Sequence, residues 1–426
     1  MREHSLLRPR VGIDRIGLYL PGYALALDEL ARARDVPVDK ILLGLGAHKM
    51  AVAPPWEDTV TLGANAAARV LASGCVAREE IGLLLVATET AVDHAKPVSI
   101  FLHELLELPS NCRTFELKHA CYSGTAGVMI ASDWIGSGAA RGRKALVVAT
   151  DIARYDLRSS AEFTQGAGAV ALVVSESPRL LELDPVTGVF ASNVYDFWRP
   201  LDRREALVDG KYSLDCYLAA LDGALDDYHA GLNGAGSVPL TACCAALLYH
   251  TPFPKMAHKA HLRLLEREWN EAARRGDEYA SRFSTGSPEF AQAAEQSYAG
   301  LVEPALGLAR LTGNTYTASL YICLAWLAER RAHELEGRQV GLFSYGSGCC
   351  AELFSGRFVD GSAAATAEIG AAELLERRRE LSVAEYESFM REGAQGGSPG
   401  RDDTGFCHLA AVRDHKRFYE RSAWPR

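Results

Sequence analysis

The sequence predicts an α/β protein with a sheet covered on both faces. Three observations carry this. First, short runs rich in Val, Ile and Leu recur along the chain, at Ile81–Ala87, Ala145–Ala149, Ala169–Val174, Ala242–Leu248 and Val340–Phe343. Their near-continuous apolar character suits strands buried on both sides. Second, helical periodicities lie between them, at Leu62–Ala72, Ser99–Leu106, Ser123–Ile135, Leu214–His229 and Thr317–Leu335, and such alternation is the mark of α/β architecture. Third, the two halves share an outline: a strand running into a reactive side chain, a helix, then a Gly-rich turn. TFELKHACYSG and TQGAGAVALVV supply it in one half, CCAALLYH and FSYGSGCCAELF in the other. This reads as an internal duplication with its boundary near residues 180–210, hence halves of 1–180 and 181–426. Arg263–Glu295 is charged and helical, part of an expected helical insertion near 258–305, and GAQGGSPGRDD at 393–403 reads as a turn-rich connector.

The bulk numbers narrow the function classes. The 426 residues are 48% hydrophobic and 23% charged, the balance of a soluble globular protein. A net charge of −9 disfavours non-specific binding to nucleic acid. The N-terminal MREHSLLRPRVGID lacks an apolar core of signal-peptide length. No stretch approaches the roughly 20 apolar residues that span a bilayer. A cytoplasmic protein without a membrane partner is expected. None of the ten cysteines forms a C-x-x-C pair, and the spacings match no zinc framework. Most sit in apolar runs, where Cys is a small hydrophobe.

One cysteine stands apart. In HACYSGTAGVMIASDWI a strand-like TFEL leads to Cys121 and a helical pattern opens just after it. That puts the sulfur at a helix N-terminus, where the dipole and free N–H groups favour thiolate. A buried structural thiol is the competing reading. His250 ends an apolar strand and is fixed by Pro252 and Pro254. Alone it reads as a hydrogen-bonded structural residue; beside a nucleophile it reads as a partner that activates a thiolate. Lys255 and Lys259 follow, either as solvated charge or as cations for a phosphate of a thioester substrate. Glu89 ends the strand LLLVATET, where burial raises a carboxyl pKa and makes a base for a proton next to a carbonyl. The bland alternative is a helix N-cap neighbourhood with Thr88 and Thr90. Asn314 in TGNTYTASLY and the SYGSG loop at 344–348 offer donors for an oxyanion hole, or an ordinary hairpin turn.

Together, and in this order, VGIDRIGLYLPGY, KILLGLGAHKM, EDTVTLGANAA, VATETAVDHAKP, FELKHACYSGTAG, VVATDIARY, TQGAGAVALV, YDFWRP, VDGKYSLDCY, YHTPFPKMAHK, TGNTYTASLY and SYGSG resemble the HMG-CoA (3-hydroxy-3-methylglutaryl thioester) synthase family. The resemblance implies the five-layered αβαβα thiolase-like fold and a homodimer. It puts the catalytic cysteine at Cys121, the general acid/base at Glu89 and the histidine at His250. Substrate contacts fall at Ser160, Thr164, Ser213, Lys255, Lys259, Asn314 and Ser347. Position 160 is the loosest match, because the family often has Asn there, and His119-Ala120 replaces the Asn-Ala of eukaryotic members.

The implied reaction loads acetyl on Cys121, forms an enolate through Glu89 and adds it to the ketone of a β-ketoacyl thioester; water then frees the product. No metal or redox cofactor is expected, the substrates arriving as thioesters on phosphopantetheine or CoA. Two substrate classes compete: acetyl-CoA with acetoacetyl-CoA in isoprenoid supply, and acyl groups on acyl carrier proteins in polyketide β-branching. The texture of AVDHAKPVSIFLHELLELPSNCRTFELKHACYSGTAG resembles the polyketide type more. An acidic carrier protein needs a basic patch, for which Arg263, Arg267, Arg274 and Arg275 are candidates. Other readings are a ketosynthase-III-type enzyme, which lacks the Glu89 equivalent, and an inactive homologue serving as a carrier-protein scaffold.

Overall fold

The computed structural model describes residues 10–203, 205–232, 238–399 and 405–424. Nine strands form one mixed sheet: β1 (Val11–Tyr19), β2 (Ile81–Ala87), β3 (Arg113–Leu117), β4 (Lys144–Ala153), β5 (Gly166–Glu176), β6 (Leu181–Ala191), β7 (Ala246–Tyr249), β8 (Gln339–Gly346) and β9 (Cys350–Phe358). Their order is β7-β8-β9-β6-β1-β5-β4-β2-β3. Within it β2 runs parallel to both β3 and β4, and β7 runs parallel to β8. The seam between β1 and β6 is short, Gly12 opposite Glu182 and Ile13 opposite Leu181. Every residue of β2 is buried, as its unbroken apolar run requires.

Helices cover both faces. α1 (Thr59–Ala72) packs on β1, β4 and β5; α2 (Val98–Leu105) packs on β2 and β3; α3 (Ser123–Gly136) packs on β2, β4 and β5. α4 (Gly210–Gly231) lies on β6 and β9. There a Cβ at Gly188 would come within 2.1 Å of the Ala224 carbonyl oxygen, so only glycine permits that approach. The charged segment is helical, with α5 (Pro254–Arg274), a short turn at Glu278–Arg282 and α6 (Pro288–Leu301). Beyond it α7 (Ser319–Leu335) packs on β7, β8 and β1. The arrangement is thiolase-like.

The expected strand over Ala242–Leu248 is half right. Leu240–Cys243 is a helical turn, and the strand occupies Ala246–Tyr249. Pro239 precedes the turn, and the Glu268 carboxylate accepts from Leu240 N at 2.6 Å and Thr241 N at 3.4 Å, which satisfies the turn's free amides. The connector at 393–403 contains no regular element over 393–399, and 400–403 lie outside the described residues.

The C-terminal part of the chain returns to the first half. Arg379–Glu380 pairs with Tyr23 and Ala24. The hairpin β10 (Cys407–Arg413) and β11 (Lys416–Arg421) lies over α1. Asn65 exchanges both amide bonds with Cys407, at 2.8 and 3.1 Å. Asp58 caps α1 through Val60 N and Thr61 N, and its second oxygen accepts from Arg417 and Tyr419.

Candidate active site

The chain leaves β3, turns through Ala120 at φ +42° and enters α3 at Ser123. Cys121 stands in this turn. Gly346 at the end of β8 packs against it: a Cβ there would lie 2.5 Å from Tyr122 N and 2.6 Å from the His119 carbonyl oxygen. Tyr122 Oη donates to Glu352 Oε2 at 2.7 Å, tying the turn to β9.

The thiol of Cys121 donates to Glu89 Oε1 at 3.1 Å. This changes the expectation drawn from the helix N-terminus. Burial and the Glu89 carboxylate push the thiol pKa well above its ordinary value. A helix N-terminus contributes about 0.3–2 kcal/mol toward an anion. When Glu89 is ionised, its carboxylate about 3 Å away opposes one with roughly 5 kcal/mol at an effective dielectric constant near 20. The resting cysteine is a thiol, and its hydrogen-bond partner is Glu89, where the sequence suggested His250.

Glu89 follows β2 in the turn Thr88–Glu89–Thr90. No helix is capped here; the next one begins at Val98. The two threonines serve Asp151, at the far part of β4. Asp151 Oδ1 accepts from Thr88 Oγ1 (2.8 Å), Glu89 N (2.9 Å), Thr90 N (3.0 Å) and Thr90 Oγ1 (2.6 Å). Its Oδ2 accepts from Thr317 N (3.1 Å) and Thr317 Oγ1 (2.6 Å). Burial, with the Asp151 charge second, raises the Glu89 carboxyl to about 8. Glu89 is half-buried by its own exposed surface, yet the protein around it withdraws enough water to favour the neutral acid. The Arg199 guanidinium donates to the Glu89 backbone carbonyl.

From the other half, β7 delivers His250. Burial holds its imidazole down to about 3, so it is neutral near pH 7. Tyr217 stacks beside it at 6.4 Å and donates to its carbonyl oxygen at 2.8 Å. Asn314 is buried; its N–H donates to the Thr164 carbonyl (3.1 Å), and its Oδ1 accepts from Tyr316 N (2.8 Å). That leaves Nδ2 as the amide's donor.

Cys121, Ser160, Thr164, Ser213, His250, Asn314 and Ser347 all line one cavity of 220 Å³, walled by Tyr155, Phe197, Tyr217, Tyr316 and Tyr345. Glu89 reaches it only through its bond to the thiol. Lys255 and Lys259 are half-buried on the first turns of α5 and do not line it; Pro252, Phe253 and Met256 do. The SYGSG loop also departs from expectation, because Gly348 N–H donates to Asp196 Oδ1 at 3.0 Å and is not free for a substrate oxygen. Asp196, fully buried, also accepts from Tyr345 Oη at 2.6 Å and Ser213 Oγ at 3.4 Å.

Asp151 and Asp196 went unassigned in the sequence. Asp151 carried a usable signal, an acid at the end of the apolar strand ALVVATD, the same signal that singled out Glu89. The arginines suggested for docking are engaged: Arg263 and Arg267 pair with Asp222 and Asp226, Arg275 pairs with Glu271, and Arg274 donates to the Asn270 carbonyl. Among the described residues no group of three His, Cys, Asp or Glu could hold a metal ion, and no helix is long and apolar enough to cross a membrane.

The profile for the hydroxymethylglutaryl-coenzyme A synthase N-terminal region matches residues 8–178, and that for the C-terminal region matches 181–395. The chain belongs to the HMG-CoA synthase family. Members are acyltransferase-type condensing enzymes, and this chain carries out condensation of that type. It is 36% identical to the hydroxymethylglutaryl-CoA synthase of Enterococcus faecalis over 90% of this chain and 92% of that one. The solved structure of MvaS in complex with 3-hydroxy-3-methylglutaryl coenzyme A superposes with a TM-score of 0.91 at 44% identity, covering 97% of this chain and all of that one. The HMG synthase of the curacin biosynthetic pathway, in complex with holo donor-ACP, superposes at 0.85 with 31% identity, covering the same shares.

Proposed function

We propose that this HMG-CoA synthase family member acts in polyketide β-branching, condensing an acetyl group with the β-ketone of an intermediate held on an acyl carrier protein. The observation that carries the reading is the rim of the cavity. Lys211, Lys255 and Lys259 form no ion pair among the described residues. They stand among exposed apolar side chains: Val208 and Tyr212 beside the lining residues Gly210 and Ser213, and Leu43 near Leu45, whose carbonyl accepts from Lys255 N. A mixed cationic and apolar rim suits the surface of an acidic carrier protein. The curacin enzyme's complex with donor-ACP lends support.

In this reading Glu89 takes the thiol proton of Cys121 as the sulfur attacks the acetyl thioester, and the proton passes to the departing phosphopantetheine thiol. Glu89 then removes a methyl proton from acetyl-Cys121. The enolate carbon bonds to the acceptor's ketone carbon as the ketone π bond opens; His250 and Asn314 hold the resulting oxygen by hydrogen bonds, and the proton that Glu89 removed passes to it, giving the tertiary alcohol. The neutral His250 donates without adding a charge. Hydrolysis of the Cys121 thioester releases an HMG-like product. Asp151 and Asp196 act as positioning residues, one for the Glu89 turn and one for the Ser347 loop. Thioester arms bring all the needed chemistry, so neither metal nor redox cofactor takes part. A homodimer in the cytoplasm completes the proposal.

The 44% identity to MvaS, solved in complex with 3-hydroxy-3-methylglutaryl coenzyme A, favours a second reading, a CoA-dependent synthase using acetyl-CoA and acetoacetyl-CoA. Intact-protein mass spectrometry of Cys121 acetylation separates them. Faster labelling from acetyl-carrier protein than from acetyl-CoA supports β-branching; efficient labelling from acetyl-CoA with an inert carrier protein overturns it.

A further inference from the structure

Between β4 and β5 the chain forms no strand and only one helical turn, Glu162–Thr164. Yet Tyr155, Ser160, Ala161 and Thr164 of this segment all line the cavity of Cys121. What fixes the segment against the rest of the molecule is a buried network from the two ends of the chain. Glu162, fully buried, accepts from Arg34 Nε at 2.9 Å and Nη2 at 2.8 Å, from Arg158 N at 2.9 Å and from Tyr386 Oη at 3.1 Å. Tyr386 Oη in turn accepts from Gln165 Nε2 at 2.6 Å, and Gln165 Oε1 accepts from Tyr155 N at 2.7 Å. Arg34 follows the helix Leu27–Ala33, and Tyr386 lies on α8 (Val383–Glu392), whose Glu387 pairs with Arg34 at 2.9 Å.

The same segment is locked to Asn314. The Thr164 carbonyl accepts from Asn314 N at 3.1 Å. A Cβ at Gly313 would stand 1.9 Å from the Gln165 carbonyl oxygen, and one at Gly166 would stand 2.6 Å from the Asn314 carbonyl oxygen. The two backbones touch, so a shift in one moves the other. A buried ion pair adds little stability over apolar side chains of the same volume, because desolvation offsets the attraction. What the two-pronged pair of Arg34 and Glu162 supplies is direction.

We infer that Arg34, Glu162 and Tyr386 are positioning residues for condensation: they fix the 155–165 segment and, through it, set the Asn314 amide against the acceptor's ketone oxygen. This rests on the role given to Asn314 above. None of the three lines the cavity, so their effect passes through Gln165, Tyr155 and Thr164. Burial, with the Glu162 charge second, raises the Tyr386 phenol above its ordinary value, and the hydroxyl stays a donor at neutral pH. Acetylation of Cys121 involves no ketone and draws on Glu89 from the other side of the sulfur. Cutting the network should therefore separate the two half-reactions.

The test cuts the network at two points. Tyr386→Phe removes one hydroxyl and leaves the ring in place; Arg34→Gln removes the fork. Cys121 acetylation is followed by rapid-quench intact-protein mass spectrometry, and condensation by steady-state turnover with acetyl and acetoacetyl thioesters of the carrier that the parent uses. The expected result is a condensation kcat lowered about tenfold in Tyr386→Phe and about a hundredfold in Arg34→Gln, with acetylation within about twofold of the parent. Arg34→Lys, which keeps the charge without the fork, should recover part of the loss. Tyr228→Phe is the comparison. It breaks a buried 3.0 Å hydrogen bond between Tyr228 Oη and Ser355 Oγ, away from the cavity lining, and should lower the melting temperature without separating the two steps. Parental condensation in the folded variants overturns the inference, as does an equal fall in both steps or the same separation in Tyr228→Phe. If Arg34→Gln does not fold, Tyr386→Phe decides alone. Parental turnover in Asn314→Ala, or failure of the parent to become acetylated by any thioester, would instead remove the reading on which the inference rests.

Discussion

Glu89 and Asp151 are two carboxylates joined through one backbone amide, and they are built for opposite tasks. Asp151 accepts six hydrogen bonds, from Thr88, Glu89, Thr90 and Thr317. The Glu89 carboxylate meets a thiol. A saturated carboxylate is held in place and holds others; one with a single weak donor is left to exchange a proton. Asp151 also raises the Glu89 carboxyl by its charge, so the holder tunes the carboxyl proposed to react.

Removing the reactor gives the largest effect. Glu89→Gln should cut condensation by about 10³-fold or more while Cys121 acetylation falls less, seen by comparing steady-state turnover with acetyl-enzyme formation. The pH dependence sharpens this. With the folded carboxyl near 8 and an ordinary value of 4.5, the base form appears, and condensation rises, as pH climbs through about 8. The stability sign follows from the same shift. Folded Glu89 holds its proton above pH 4.5, so the parent loses stability as pH rises from there through about 8. Glu89→Gln should therefore melt like the parent at pH 4 and above it at pH 9.

Asp151→Asn comes next. It turns an NH₂ group toward donors that need an acceptor, and should cost about 3 kcal/mol of stability and roughly 10² in condensation. If it lowers the melting temperature without altering the pH profile of turnover, Asp151 holds the fold but does not tune Glu89. The smallest effect lies at the rim. Lys255→Gln with Lys259→Gln should raise the donor KM several-fold with little change in kcat. Arg263→Gln, whose partner Asp222 also holds Arg267, should leave KM unchanged.

The sequence made the main elements legible because their signals are local. Strand β2 is an unbroken apolar run, and α3 opens directly after Cys121. The candidate side chains at strand ends, Glu89 and His250, were visible for the same reason. Features set by distant partners were not. The Cys121 pKa depends on a carboxylate 32 residues earlier, Gly348 N–H is taken by Asp196 from 152 residues away, and Arg263 is spent on Asp222, 41 residues back. The Lys255 and Lys259 positions follow from how α5 rotates its first turns, with Met256 toward the cavity, a rotation that residue type alone does not set.

The cap of α1 carries a consequence for biosynthesis. Asp58 binds Val60 N and Thr61 N from its own neighbourhood, but its other oxygen waits for Arg417, 359 residues further along. Asp58, Glu89 and Arg417 line one cavity of 720 Å³. During translation the nascent chain can assemble α1 early, yet this wall closes only when the ribosome has delivered the hairpin of β10 and β11. Loss of the residues from 400 on would therefore open the wall beside Glu89 in the first half, although the lost segment belongs to the second.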